Sequence, residues 1–126
     1  MSKPLIFLVD DSETMLLSLK TGLELEGFSV ETAQDGVIAL AKLNAGLNPD
    51  LIITDMSMPN MNGIEFIKRV REISRFRFKP ILAFTTTTQQ HLRDESKKVG
   101  ATGWLVKPVP NKEMVAIINQ ILQKKN

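Results

Sequence analysis

Three carboxylates, a hydroxyl and an ammonium group each stand at the end of a short apolar run. Asp10 and Asp11 follow Leu5 to Val9, Asp55 follows Leu51 to Thr54, Thr85 follows Ile81 to Phe84, and Lys107 follows Trp104 to Val106. Gathered in one place, three carboxylates repel by up to about 4 kcal/mol per pair at ~4 Å and an effective dielectric of about 20. A divalent cation relieves that repulsion. Oxygen-only ligands with room for water suit Mg²⁺, which keeps several waters and shares its remaining positions with a phosphate. With Lys107 beside one carboxylate, such a cluster is suited to neutralising a transferring phosphoryl group rather than to proton chemistry. Carboxylates serve as phosphoryl acceptors. Asp55 is the better acceptor because it stands singly on a central buried strand, whereas the adjacent Asp10 and Asp11 are suited to holding the metal between them. Thr85 can donate a hydroxyl hydrogen bond to a phosphoryl oxygen.

The elements that must position these groups can be read in order. Leu5 to Val9 has the character of a buried strand. Ser12 caps a helix whose Met15, Leu16, Leu19 and Leu23 fall on one face and which Gly27 ends. Phe28 to Thr32 reads as a weaker, edge strand. Asp35-Gly36 turns into a helix carrying Val37, Leu40 and Ala41. Asn48-Pro49-Asp50 precedes the central strand, and Pro59 stops regular pairing beyond it. The loop Asn60-Met61-Asn62-Gly63 enters a helix striped by Phe66, Ile67, Val70 and Ile73. Pro80 opens the strand Ile81 to Phe84, and the almost wholly polar His91 to Lys98 predicts the least firmly packed helix. Gly100 and Gly103 bracket a turn into Trp104 to Val106. Met114, Ile117, Ile118, Ile121 and Leu122 stripe a last helix, whose negative C-terminal end suits Lys124 and Lys125. Five strands alternating with five helices predict an α/β fold: a doubly wound parallel sheet, covered on both faces, with right-handed crossovers. In a parallel sheet the strand ends share one rim, so Asp10, Asp11, Asp55, Thr85 and Lys107 converge there. Periodicity does not set the strand order.

Composition narrows the function. The 126 residues, 1–126, are expected to form one domain with no output module. Cysteine is absent and His91 is the single histidine, so any metal is held mainly by oxygen. No apolar run is long enough for a membrane span, and Met1 to Pro4 is too short for a signal peptide, so the cytoplasm is the expected compartment. A net charge of +2 with interspersed signs provides no broad field for nucleic acid. The local exception, Arg69, Arg71, Arg75, Arg77 and Lys79 around Phe76 and Phe78, reads as a solvated helix end and loop rather than a docking patch.

Over essentially the whole chain these residues resemble the receiver domains of two-component response regulators, specifically the stand-alone, CheY-like type. The likeness rests on Asp10-Asp11, on Asp55 to Pro59 with its Met-Pro, on Thr85 and on Lys107-Pro108, all in the family's order. It implies a flavodoxin-like strand order of 2-1-3-4-5. It further implies a switch in which Asp55 takes a phosphoryl group from a phosphohistidine of a sensor histidine kinase or phosphotransfer protein, or from a small donor such as acetyl phosphate. Catalysis would extend only to the domain's own phosphorylation and dephosphorylation. The family's Mg²⁺ ligands map to Asp11, Asp55 and the backbone carbonyl of Ser57, with Asp10 acting through water. The Lys107-Pro108 peptide is expected to be cis. Inward movement of Thr85 and Lys107 is expected to free space for an aromatic ring on the last strand, here Trp104. That position departs from the family, which usually has tyrosine or phenylalanine. The polar helix, Trp104 and the last helix would form the signalling face toward a downstream protein, as in chemotaxis, from a monomer or weak dimer. Ser57 and Thr87 occupy two positions that tune phosphoryl lifetime, and His91 reads as a surface residue.

Three other classes compete. A haloacid-dehalogenase-like phosphohydrolase also uses an aspartyl phosphate and Mg²⁺, and Asp10-Asp11-Ser12-Glu13-Thr14 approaches its Asp-x-Asp-x-Thr signature. It fails at Ser12, where a second carboxylate is needed as general acid. A flavin or nucleotide carrier calls for a phosphate loop rich in glycine and hydroxyls, not acids. An unphosphorylated receiver-fold scaffold does not require the complete cluster.

Overall fold

A computed structural model describes residues 3–123; the expected pairing of Lys124 and Lys125 with the last helix end lies outside them. The elements alternate as β1 (Leu5–Val9), α1 (Glu13–Leu25), β2 (Ser29–Ala33), α2 (Gly36–Asn44), β3 (Leu51–Thr54), α3 (Gly63–Arg71), a 3-10 turn (Ser74–Phe76), β4 (Ile81–Thr85), α4 (Gln90–Val99), β5 (Gly103–Val106) and α5 (Asn111–Gln123). The five strands are all parallel and lie in the order β2-β1-β3-β4-β5. The doubly wound α/β architecture, with the order 2-1-3-4-5, is as anticipated. No helix among the described residues is long and apolar enough to cross a membrane.

The apolar runs at the strands make two cores, because successive side chains on a strand point to opposite faces. Ile6 and Leu8 of β1, Leu51 and Ile53 of β3, and Leu82 and Phe84 of β4 meet Leu16, Leu19 and Leu23 of α1 and Met114 and Ile118 of α5. Phe7, Val9, Ile52, Ile81 and Ala83 point the other way, onto Ala39 and Leu43 of α2 and Phe66, Ile67 and Val70 of α3. Each large side chain so buried contributes roughly 1.5–3 kcal/mol relative to exposure. The three central strands therefore make a stiff base beneath the rim.

Several expectations are corrected. Strand β2 runs one residue later than Phe28 to Thr32, and Thr85 is the last residue of β4 rather than the first beyond it. In α2 the buried positions are Gly36, Ala39 and Leu43, while Val37 is 49% exposed, so the inward face is not the one marked by Val37 and Ala41. The buried face of α2 meets both α3 and β2, and Gly36 lies directly against Met61. Ile73 lies beyond α3, and the chain turns instead through Ser74–Phe76. That turn carries Phe76 fully into the core and leaves Phe78 90% exposed, so the basic stretch is not uniformly solvated. Arg71 also points inward. Its guanidinium donates to the carbonyls of Phe76 and Lys79, both at 2.6 Å, and to Gly100 at 2.6 and 3.1 Å. One side chain thereby ties α3 to the approach of β4 and to the end of α4. Helix α4 buries only Ser96 and has no side-chain cap at Gln89, in keeping with its polar sequence.

Candidate functional site

The backbone ladder runs one step past each strand and so fixes where the polar residues begin. Asp10 N–H donates to Ala33 O at 3.1 Å, Asp55 N–H to Val9 O at 2.8 Å, and Lys107 N–H to Thr85 O at 2.8 Å. Rigid backbone thus delivers side chains from β1, β3 and β5 to one rim. Ligand oxygens of Asp10, Asp11 and Asp55 all lie within 4.8 Å of one another. Asp10 and Asp55 are nearly buried, at 5% and 9% exposure, whereas Asp11 is exposed.

The ammonium of Lys107 sits 2.7 Å from Asp10 Oδ2 and 3.7 Å from Asp55 Oδ2. It also lies over the ring of Phe84, 5.3 Å from its centre. The other oxygen of Asp10 accepts from Ser12 N–H at 2.9 Å, and Asp55 Oδ1 accepts from Met56 N–H at 2.7 Å. Burial pushes the Asp55 carboxyl above the usual range; Lys107 opposes the shift, Asp10 adds to it, and the amides of Met56 and Ser57 oppose it. A carboxylate made costly to ionise by lost hydration is one that gains from a cation. The donor set is oxygen throughout, which fits magnesium.

Thr85 is 1% exposed, with its Oγ1 accepting a long bond from Thr87 N–H at 3.5 Å. Ser57 is exposed two residues past Asp55. Trp104 is half-buried, opposite Ala83 of β4, and packs against the core on the α2–α3 side. The Lys107-Pro108 peptide is cis. His91 is an exposed residue on α4. The structure thus brings Asp10, Asp11, Asp55 and Lys107 together at one end, with Thr85 at the end of the adjacent strand.

Two features were not anticipated as parts of the site. Gly63 abuts the acceptor: a Cβ there would lie 2.7 Å from both Asp55 O and Met56 Cα. Asp35, read only as a turn residue, caps α2 through Ile38 N–H at 2.8 Å and accepts from Asn60 Nδ2 at 2.9 Å. An Asp followed by Gly before a helical run is a capping signal, but nothing in the sequence links it to position 60.

A doubly wound α/β domain with an acidic cluster and a lysine at the carboxyl rim of its sheet belongs to the class that binds charged ligands there. Residues 6–119 match the profile of the response regulator receiver domain. The chain belongs to that family. It is 40% identical over 119 residues to a transcriptional regulatory protein CpxR homolog of Haemophilus influenzae, covering 94% of this chain and 50% of that protein. It is 38% identical over 104 residues to the chemotaxis protein CheY1 of Helicobacter pylori, covering 82% of this chain and 84% of that one. The chemotaxis response regulator CheY4 of Vibrio cholerae superposes with a TM-score of 0.89 at 41% identity, over 95% of this chain and 99% of that one. The chain spans about half the length of the CpxR relatives it matches. It is therefore a receiver-domain signalling module, and Asp10, Asp11 and Asp55 form the acidic cluster typical of the Mg²⁺ site in such domains.

Proposed function

We propose that residues 1–126 act as one cytoplasmic receiver domain in which Asp55 is the phosphoacceptor. The observation that carries this reading is the convergence of a nearly buried, cation-seeking Asp55 with Asp10, Asp11 and the Lys107 ammonium. In the transfer, an Asp55 carboxylate oxygen bonds to phosphorus while the bond from phosphorus to the donor imidazole nitrogen breaks. The imidazole keeps the electron pair and takes up a proton. Asp11, Asp55 and the Ser57 carbonyl, with Asp10 beside them, would hold a magnesium ion, whose chemistry there would be to neutralise charge on the transferring group.

The protein's own groups do the rest. Lys107 starts closer to Asp10 than to Asp55, so a phosphoryl group on Asp55 would compete with Asp10 for the ammonium through its strong terminal acceptor oxygens. Thr85, at the end of β4, offers its hydroxyl to the same group. Movement there reaches α4, the helix with the fewest buried side chains, and Trp104 on the neighbouring strand. The output is contact with a downstream protein. CheY-type relatives, matched over most of their length, make chemotaxis the setting this likeness favours.

Incubation with acetyl phosphate and Mg²⁺ should add one phosphoryl by intact mass, absent in Asp55→Asn. The single tryptophan should report Mg²⁺ or a beryllium fluoride mimic by a change in fluorescence. Labelling that persists in Asp55→Asn but is lost in Asp10→Asn would instead identify a dehalogenase-type phosphohydrolase.

A further inference from the structure

The loop from Asp55 to Asn62 carries the acceptor and Ser57, yet Ser57, Pro59, Asn60 and Asn62 are all exposed. A loop so placed is mobile unless something ties it down. At its base, Gly63 N–H donates to Met56 O at 3.0 Å, and Gly63 leaves no room for a side chain. At its tip, Asn60 holds a left-handed backbone with φ of 68°, the one non-glycine residue with positive φ among the described residues. Asparagine tolerates that conformation better than most residues, but it still has to be held there.

We propose that Asp35 and Asn60 form a latch that positions the acceptor loop for metal binding. Asn60 Nδ2 donates to Asp35 Oδ2 at 2.9 Å, while Asp35 Oδ1 is engaged by the α2 amide of Ile38. Both oxygens of a carboxylate only 7% exposed are thereby committed, so the side chain has little freedom to follow a moving loop. The next residue, Met61, packs against Gly36 closely enough that a Cβ there would come within 3.1 Å of it. Ala33, two residues before Asp35, accepts the Asp10 N–H. One short turn thus touches both the acid pair and the acceptor loop. The Ile38 amide and then the Asn60 amide hold the Asp35 carboxyl below its usual range, so the latch is a hydrogen bond to an anion, among the stronger kinds. Asp35 and Asn60 are positioning residues: neither belongs to the acidic cluster.

The role in metal binding rests on the proposed function; the latch itself can be read without it. Asn60→Gly keeps the positive φ and removes only the donor. In metal-free protein amide exchange at Met56 and Gly63 should accelerate about tenfold, as expected for losing one charge-assisted bond from a local opening, while the unfolding midpoint falls by no more than the equivalent, about 5 °C. Its Mg²⁺ affinity, followed by titration calorimetry, should fall several-fold. The Asp35→Asn, Asn60→Asp double variant rebuilds the pair in reverse and should restore both readings. Unchanged exchange in Asn60→Gly overturns the latch, and faster exchange with unchanged Mg²⁺ affinity overturns its positioning role. Should the unaltered protein bind Mg²⁺ but take no phosphoryl, the phosphoacceptor reading fails while the latch stands.

Discussion

Replacing Asp55 by asparagine should make the metal-free protein more stable, and the structure shows why. At an effective dielectric of about 20, Asp10 within 4.8 Å repels the Asp55 carboxylate by about 3.5 kcal/mol, and Lys107 at 3.7 Å attracts it by about 4.5 kcal/mol. Asp11 faces water and adds about 1 kcal/mol of repulsion at a dielectric of about 80. The charge terms therefore nearly cancel. What remains is the cost of stripping water from a carboxylate 9% exposed, the leading cause of its raised pKa. An amide of the same shape avoids most of that cost and keeps an oxygen for Met56 N–H, so about 1–2 kcal/mol of stabilisation is expected. For a chain of this length that is about 4–8 °C in Tm. Because the folded-state pKa is raised, the native protein holds the Asp55 proton more tightly than the unfolded chain. The cost is thus absent at low pH and develops as pH rises through the unfolded and then the folded pKa. Thermal unfolding followed by circular dichroism in EDTA should show the variant ahead at pH 7 and the gap closing as pH falls toward 4. Saturating Mg²⁺ should reverse the ranking, since about 100 times Kd stabilises the native protein by about 2.7 kcal/mol. A variant less stable than the native protein in EDTA at pH 7 would refute the claim that desolvation dominates at Asp55.

Two further substitutions probe the frame around the site. Arg71→Met removes the donor to three carbonyls on separate segments and should cost about 3 kcal/mol by urea unfolding, with Arg71→Lys recovering little because an ammonium cannot reproduce the fork. A loss under about 0.5 kcal/mol would show that water substitutes for the guanidinium. Gly63→Ala forces a methyl against the Asp55 carbonyl and the Met56 backbone and should cost about 2 kcal/mol or more together with weakened Mg²⁺ binding; full stability would mean that the loop yields.

Much of this protein was legible in its sequence because the relevant signals are local. Buried strands of four or five residues announce themselves as apolar runs, and the residue after each run must lie at the carboxyl rim, so Asp10, Asp55 and Lys107 could be assembled into one cluster before any coordinates. Ser12 was readable as a cap, and its hydroxyl does accept the Met15 N–H. Other features depend on what lies across space. Val37 and Ala39 are both apolar enough for a core, and only the way α2 lies on the sheet and α3 buries Ala39 and leaves Val37 in water; Phe76 and Phe78 differ in burial because a 3-10 turn aims one of them inward. Lys107 lies nearer to Asp10 than to Asp55, a matter of about 1 Å that strand spacing cannot supply. Asp35 and Asn60, 25 residues apart, meet only because β2 and β3 flank β1 and bring the loops beyond them to the same rim. Periodicity specifies which way a side chain faces within its own element, whereas neighbours from different elements are set by strand order and packing, and those arise only when the whole chain has folded.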